Sequence, residues 1–159
     1  TNDDLVGCEL GGALKNVIAL AAGMAEGLDT GDNARAALIT RGLAEMTRLG
    51  VAMGGDPLTF AGLAGMGDVM ATCMSPQSRN RWVGEQVGRG ATPESVLAGM
   101  DQVAEGVRAA AVACEMAATV GVEVPVAEGV RSVFDEGRSP TEVWSELMSR
   151  RAGPEVATT

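Results

Sequence analysis

Histidine and tyrosine are absent from these 159 residues, and lysine occurs once, at Lys15. Without an imidazole there is no histidine-ligated metal site and no serine–histidine relay, so no metal site is expected and proton transfer falls to Lys, Asp, Glu or Cys. Aromatic residues make up only 3% of the chain. A core must therefore be assembled from Ala, Val, Leu and nine Met, which favours closely packed helices. Three cysteines, Cys8, Cys73 and Cys114, form no C-x-x-C pair and leave one over under any pairing, which suits buried, reduced thiols. The longest apolar run, Val17 to Ala25, falls short of the roughly 20 residues of a membrane span, so a cytoplasmic protein with no membrane span is expected. A basic face is missing as well: the net charge of -9 argues against nucleic acid as a partner. No charged and apolar leader follows Thr1, so no signal peptide is expected, and a further piece is expected upstream.

What is present reads as helices separated by well-marked stops. Gly11 to Leu28 is apolar nearly all round, as a buried helix would be. The stretch Asp29 to Asn33 offers turn chemistry and an N-cap, and Ala36 to Met53 carries apolar residues at helical spacing before Gly54 and Gly55 stop it. Asp56-Pro57 opens a short helix, Leu63 to Gly67 reads as a glycine-broken link, and Asp68 to Met74 as another short helix. Further helices are expected from Ser78 to Gly88, from Thr92-Pro93, from Glu105 to Val120, and from Pro125 to about Gly137. The last is opened by a capping box at Ser139-Pro-Thr-Glu142 and runs to about Arg150. The expectation is all-α: one multi-helix domain over 1–151 with a frayed tail over 152–159.

Three features carry chemistry. Lys15 lies on the most apolar helix, where a lysine, unlike an arginine, can exchange a proton; the alternative is a lysine that snorkels to water. Ser78-Arg79-Asn80-Arg81 stands where a helix begins, so backbone N–H groups, a guanidinium and an amide could meet one anion; otherwise these are solvated arginines. Asp68, after Gly65 and Gly67, either orients a hydroxyl or Lys15, or caps the next helix, and both roles can coexist. Gly62 to Gly67 is not a dinucleotide fingerprint, because its spacing is reversed and no strand precedes it.

Five segments taken in order, Gly11-Gly-Ala-Leu-Lys15-Asn16-Val, Gly31-Asp-Asn-Ala-Arg-Ala-Ala-Leu, Leu63-Ala-Gly-Met-Gly-Asp68, Ser78-Arg-Asn-Arg81 and Val103-Ala-Glu105-Gly-Val, resemble bacterial NAD(P)-dependent glycerol-3-phosphate dehydrogenase. The likeness runs from Asp4 to about Arg150. It implies the helical C-terminal half of a two-domain enzyme of the 6-phosphogluconate-dehydrogenase-like type, whose Rossmann half, holding NAD or NADP, is missing here. It also implies Lys15 as the catalytic proton donor or acceptor, with Asn16, Asp68 and Thr72 near the reacting oxygens. Ser78, Arg79 and Asn80 would hold the phosphate of sn-glycerol 3-phosphate or dihydroxyacetone phosphate, and Arg79, Val103 and Glu105 would border the cofactor. The family's place is cytoplasmic, in phospholipid precursor synthesis, and a homodimer is allowed. Two other readings stand beside it: the helical half of a β-hydroxyacid-type dehydrogenase, and a non-catalytic dimerisation module.

Overall fold

The computed structural model describes residues 3–100 and 104–150. Among them the chain forms nine α-helices and one π-helical turn, with no strand. The expected turn near Asp101, the cofactor residue Val103 and the expected tail all lie outside the described residues.

Helix α1 (Leu5–Gly27) is the axle. The Asp4 side chain accepts a hydrogen bond from the Gly7 N–H and starts the helix six residues before the expected Gly11. The glycines at 7, 11 and 12 hid this start, because they read as breakers. Val17, Ala19, Leu20, Ala22 and Ala25 are all but sealed from water, each large one worth about 1.5–3 kcal/mol of burial. Counted with its small-residue flanks, α1 is long and apolar enough to cross a membrane, beyond the run counted in the sequence; half of that apolar window is buried against other helices. Helix α2 (Asp32–Ala52) packs along α1. Its expected side-chain cap does not form: the cap residue is Gly31 at φ 85, and Asp32 instead takes an ion pair with Arg35 at 2.8 Å.

Short helix α3 (Pro57–Ala61) is capped by Asp56 as expected. The expected link from Leu63 to Gly67 is wound into a π turn, which leads directly into α4 (Asp68–Met74). Gly11 of α1 lets this turn sit close, since a Cβ there would stand 2.8 Å from the Ala64 carbonyl oxygen. Along the outer side of the π turn and α4, Leu63, Met66, Met70 and Met74 are exposed, Leu63 by 86%.

Helix α5 (Arg79–Gly88), capped by Ser78, makes the most extensive pairing with α1. Facing G-x-x-x-G spacings, Gly23 and Gly27 on α1 against Gly84 and Gly88 on α5, bring backbone to backbone. A Cβ on Gly84 would lie 2.1 Å from the Leu20 carbonyl oxygen, and one on Gly23 would lie 2.0 Å from that of Arg81. Helices α6 (Pro93–Ala98) and α7 (Glu105–Val120) follow, and α7 closes with Gly121 in the left-handed region. Helices α8 (Pro125–Glu136) and α9 (Pro140–Ser149) complete the fold. Ser139 stands at the N-cap of α9, but its side chain makes no cap bond, so the expected capping box is not closed. All three cysteines are free; Cys73 and Cys114 are buried and Cys8 is half-buried.

Candidate active site

Five elements meet around a concavity of about 440 Å³, a size that suits a small ligand. Helix α1 contributes Lys15 and Asn16, α4 contributes Ala71 and Thr72, and the link to α5 contributes Ser75, Gln77 and Ser78. The first turn of α5 adds Arg79 and Asn80, and the start of α7 adds Ala104 and Glu105. Two helix N-termini, those of α5 and α7, thus lie at the pocket with their partial positive charge.

Lys15 Nζ donates to Asp68 Oδ2 at 2.7 Å, across 53 residues of sequence, and joins α1 to α4. The two side chains are 25% and 48% exposed, so Lys15 stands at a wet edge of its apolar helix rather than inside it. An ammonium has three donors, and one is committed to Asp68. The Asp68 carboxylate is therefore Lys15's partner and not a cap, since α4 is preceded by Gly67 with no side-chain cap bond. Thr72 Oγ1 donates to the Asp68 carbonyl at 2.7 Å, which leaves its oxygen able to accept.

The anion cluster read from Ser78 to Arg81 is divided by the structure. Ser78, Arg79 and Asn80 line the pocket, whereas Arg81 turns inward to Glu26 and Glu85. Asn80 is buried, and its Oδ1 accepts from the Gly106 N–H at 3.0 Å, which ties the starts of α5 and α7 together and leaves its Nδ2 donors. Of the expected site residues, Lys15, Asn16, Thr72, Ser78, Arg79, Asn80 and Glu105 come together on the wall, and Asp68 stands behind Lys15. Sequence reasoning missed Ser75 and Gln77. Their signal was the short Ser75-Pro76-Gln77 stretch between a helix end and the Ser78 cap, which carries a hydroxyl and an amide.

The most strongly perturbed carboxylate among the described residues lies elsewhere. Glu45 on α2 is buried, and both its oxygens accept from the Val126 N–H at 2.9 Å, so it caps α8 from across the core. Burial pushes its carboxyl up to about 7, against the opposing pull of the Val126 hydrogen bond. Among the described residues, no group of three or more His, Cys, Asp or Glu is placed to hold a metal ion.

Residues 4–145 match the family model described as NAD-dependent glycerol-3-phosphate dehydrogenase C-terminus. The chain belongs to that family. A glycerol-3-phosphate dehydrogenase [NAD(P)+] of a Parafrankia species is 59% identical over 155 residues, covering 98% of this chain and 46% of the relative. The crystal structure of glycerol-3-phosphate dehydrogenase from Coxiella burnetii superposes with a TM-score of 0.90 at 41% identity, covering 94% of this chain and 46% of that one. A glycerol-3-phosphate dehydrogenase structure from Saccharomyces cerevisiae gives 0.81 at 28% identity, over 92% of this chain and 43% of that one. The chain spans about half the length of the curated relatives it matches. As a C-terminal domain of the glycerol-3-phosphate dehydrogenase family it is all-α, as the sequence predicted.

Proposed function

We propose that this chain is the substrate half of an NAD(P)-dependent dehydrogenase that interconverts sn-glycerol 3-phosphate and dihydroxyacetone phosphate. One observation carries the reading: a single concavity is lined both by the only lysine of the chain and by an arginine at a helix start. Those are the two parts such a reaction asks of this half, a proton donor for a developing alkoxide and a seat for a phosphate dianion.

Arg79, the Ser78 hydroxyl, the Asn80 amide and the N-terminus of α5 receive the phosphate. Its charge accounts for a basic wall in a chain of net charge -9. With that end fixed, the C2 oxygen lies toward Lys15, which gives it a proton in the direction of glycerol 3-phosphate and removes one in reverse. Asp68 holds the ammonium in place through its 2.7 Å bond, while Asn16 and Thr72 offer polar atoms to the C1 and C2 oxygens. NAD or NADP, when bound, supplies or accepts the hydride at C2. The described residues fit a border to that cofactor and not its cradle: Arg79 and the exposed Glu105 stand on the pocket wall, and no dinucleotide fingerprint occurs in the chain. Val103, which the family likeness names for the same border, lies outside the described residues. The same reading gives the protein a cytoplasmic place and a supply of glycerol 3-phosphate to phospholipid synthesis, and it allows a homodimer.

The test is kinetic, in the full-length protein. Lys15→Met should lower kcat about a thousandfold, within the range of a lost general acid. Arg79→Ala should raise KM for glycerol 3-phosphate roughly tenfold to a hundredfold, the loss of a charge-assisted hydrogen bond. Trp82, exposed on α5 three residues beyond Arg79, reports binding by fluorescence once Trp144 is replaced by phenylalanine, with inorganic phosphate as the control. Full turnover by Lys15→Met would end the proposal, and a preference for a β-hydroxyacid without phosphate would favour the other dehydrogenase reading.

A further inference from the structure

Arg81 is 11% exposed and does not line the pocket, yet its bonds run to the loop that does. Its Nε donates to the Ser75 carbonyl at 3.1 Å, and the same oxygen accepts from the Ser78 N–H at 3.1 Å. On the other side Nη1 meets the carboxylates of Glu26 on α1 and Glu85 on α5. Glu85, itself 11% exposed, also holds Arg89 at 2.6 Å, and Glu26 holds Arg35 at 3.2 Å. Backbone contact between α1 and α5 fixes the two glutamates relative to each other.

The guanidinium is therefore a fork with one prong set in the rigid helix pair and the other on the link between α4 and α5. A planar group of fixed geometry transmits position in a way a flexible ammonium does not. The carbonyl it holds belongs to the C-terminal end of α4, whose partial negative charge lies next to an anion seat. Engaging that oxygen removes an acceptor that would repel phosphate. At the far end of the same stretch, Asn80 is pinned to Gly106. Ser75 to Asn80 is thus anchored at both ends, one anchor on α7 and the other through Arg81 on α1, the helix of Lys15.

We infer that Arg81 is a positioning residue, which sets the distance between the phosphate seat at Ser78–Asn80 and Lys15 and so selects the length of the phosphate ester that is processed. The inference rests on the dehydrogenase reading for its substrate, but not for its structural part. It implies that specificity for a three-carbon ester is written partly outside the pocket.

The experiment uses the full-length protein with Arg81→Lys, and with the double variant Arg81→Met/Glu85→Leu, which removes facing charges together and leaves Glu26 to Arg35. Hydrogen exchange at the Ser78 amide should accelerate at least tenfold in both variants, while the interiors of α1 and α5 exchange as in the parent. The kcat/KM preference for sn-glycerol 3-phosphate over 3,4-dihydroxybutyl phosphate, one methylene longer, should fall at least tenfold, with KM for the nicotinamide cofactor unchanged within twofold. Unchanged Ser78 exchange overturns the inference, and so does acceleration spread evenly over α1 and α5, which would make Arg81 a prop of the fold. Faster Ser78 exchange with an unchanged preference overturns the selection of ester length. If the parent protein does not act on glycerol 3-phosphate while the exchange result holds, the dehydrogenase reading falls and the positioning role stands.

Discussion

The pocket has two walls made in opposite ways. On one side α1 and α5 touch through their backbones, with glycines at 23, 27, 84 and 88 leaving no room for a methyl group. On the other, the π turn and α4 lie over α1 as a short, bent element whose outer face shows Leu63, Met66, Met70 and Met74 to solvent. Lys15 belongs to the first wall and its carboxylate partner, Asp68, to the second element. A pocket built this way has a closely packed frame on one side and a short, outwardly exposed element on the other.

This contrast can be broken most directly at Gly84. Gly84→Ala places a Cβ against the Leu20 carbonyl and should cost roughly 3 kcal/mol in urea unfolding, the upper range for overpacking. An unshifted midpoint would mean that the helices part easily and the frame is not fixed. Next in size is the carboxylate behind the frame. Folded Glu45 holds its proton up to about pH 7, while the unfolded chain releases it near the ordinary glutamate value of 4.5. The stability it contributes is therefore complete below about pH 4.5 and is lost as pH rises through 7, a change of roughly 3 kcal/mol by linkage. In Glu45→Gln that part of the pH dependence should vanish from the melting curves between pH 5 and 8; a slope equal to the parent's would show that Glu45 is not its source.

A smaller effect is expected at the pair joining the walls. Because Lys15 and Asp68 are both partly exposed, Asp68→Ala should alter stability by less than about 1 kcal/mol. It should still lower kcat of the full-length protein at least tenfold, and a stability loss of several kcal/mol would recast the pair as a structural strut. The smallest change belongs to the outer face: Met70→Lys with Met74→Lys should leave the midpoint of this chain within about 0.5 kcal/mol, as surface changes do. A larger drop would mean that the methionines carry α4 and that the two walls are alike.

Much of this was readable from residues alone, because helix ends are local. Asp56-Pro57, Thr92-Pro93, Gly121 and Gly137 mark their boundaries by chemistry within a few residues. That Ser78 to Asn80 stand at a helix start was legible for the same reason. Arg81, the last residue of that cluster, could not be separated from it in the sequence, because the carboxylates that draw it away from the pocket include Glu26, 55 residues earlier. Glu45 escaped notice because its cap bond to Val126 spans 81 residues. The G-x-x-x-G spacings on α1 and α5 were visible, but what they approach was not, as each makes sense only beside the other.

The axle position of α1 also bears on how the chain is made. A ribosome finishes α1 more than 50 residues before its main partner α5 is complete, and α7 comes later still. At about 10 residues per second, an apolar helix with a membrane-like profile waits roughly six seconds for α5, with only α2 to α4 available to cover it in the meantime. During that interval the Ala- and Leu-rich faces that α5 and α7 will cover are open to other nascent chains, so crowding on polysomes and the supply of holdase chaperones should govern the yield of this protein more than its final stability does.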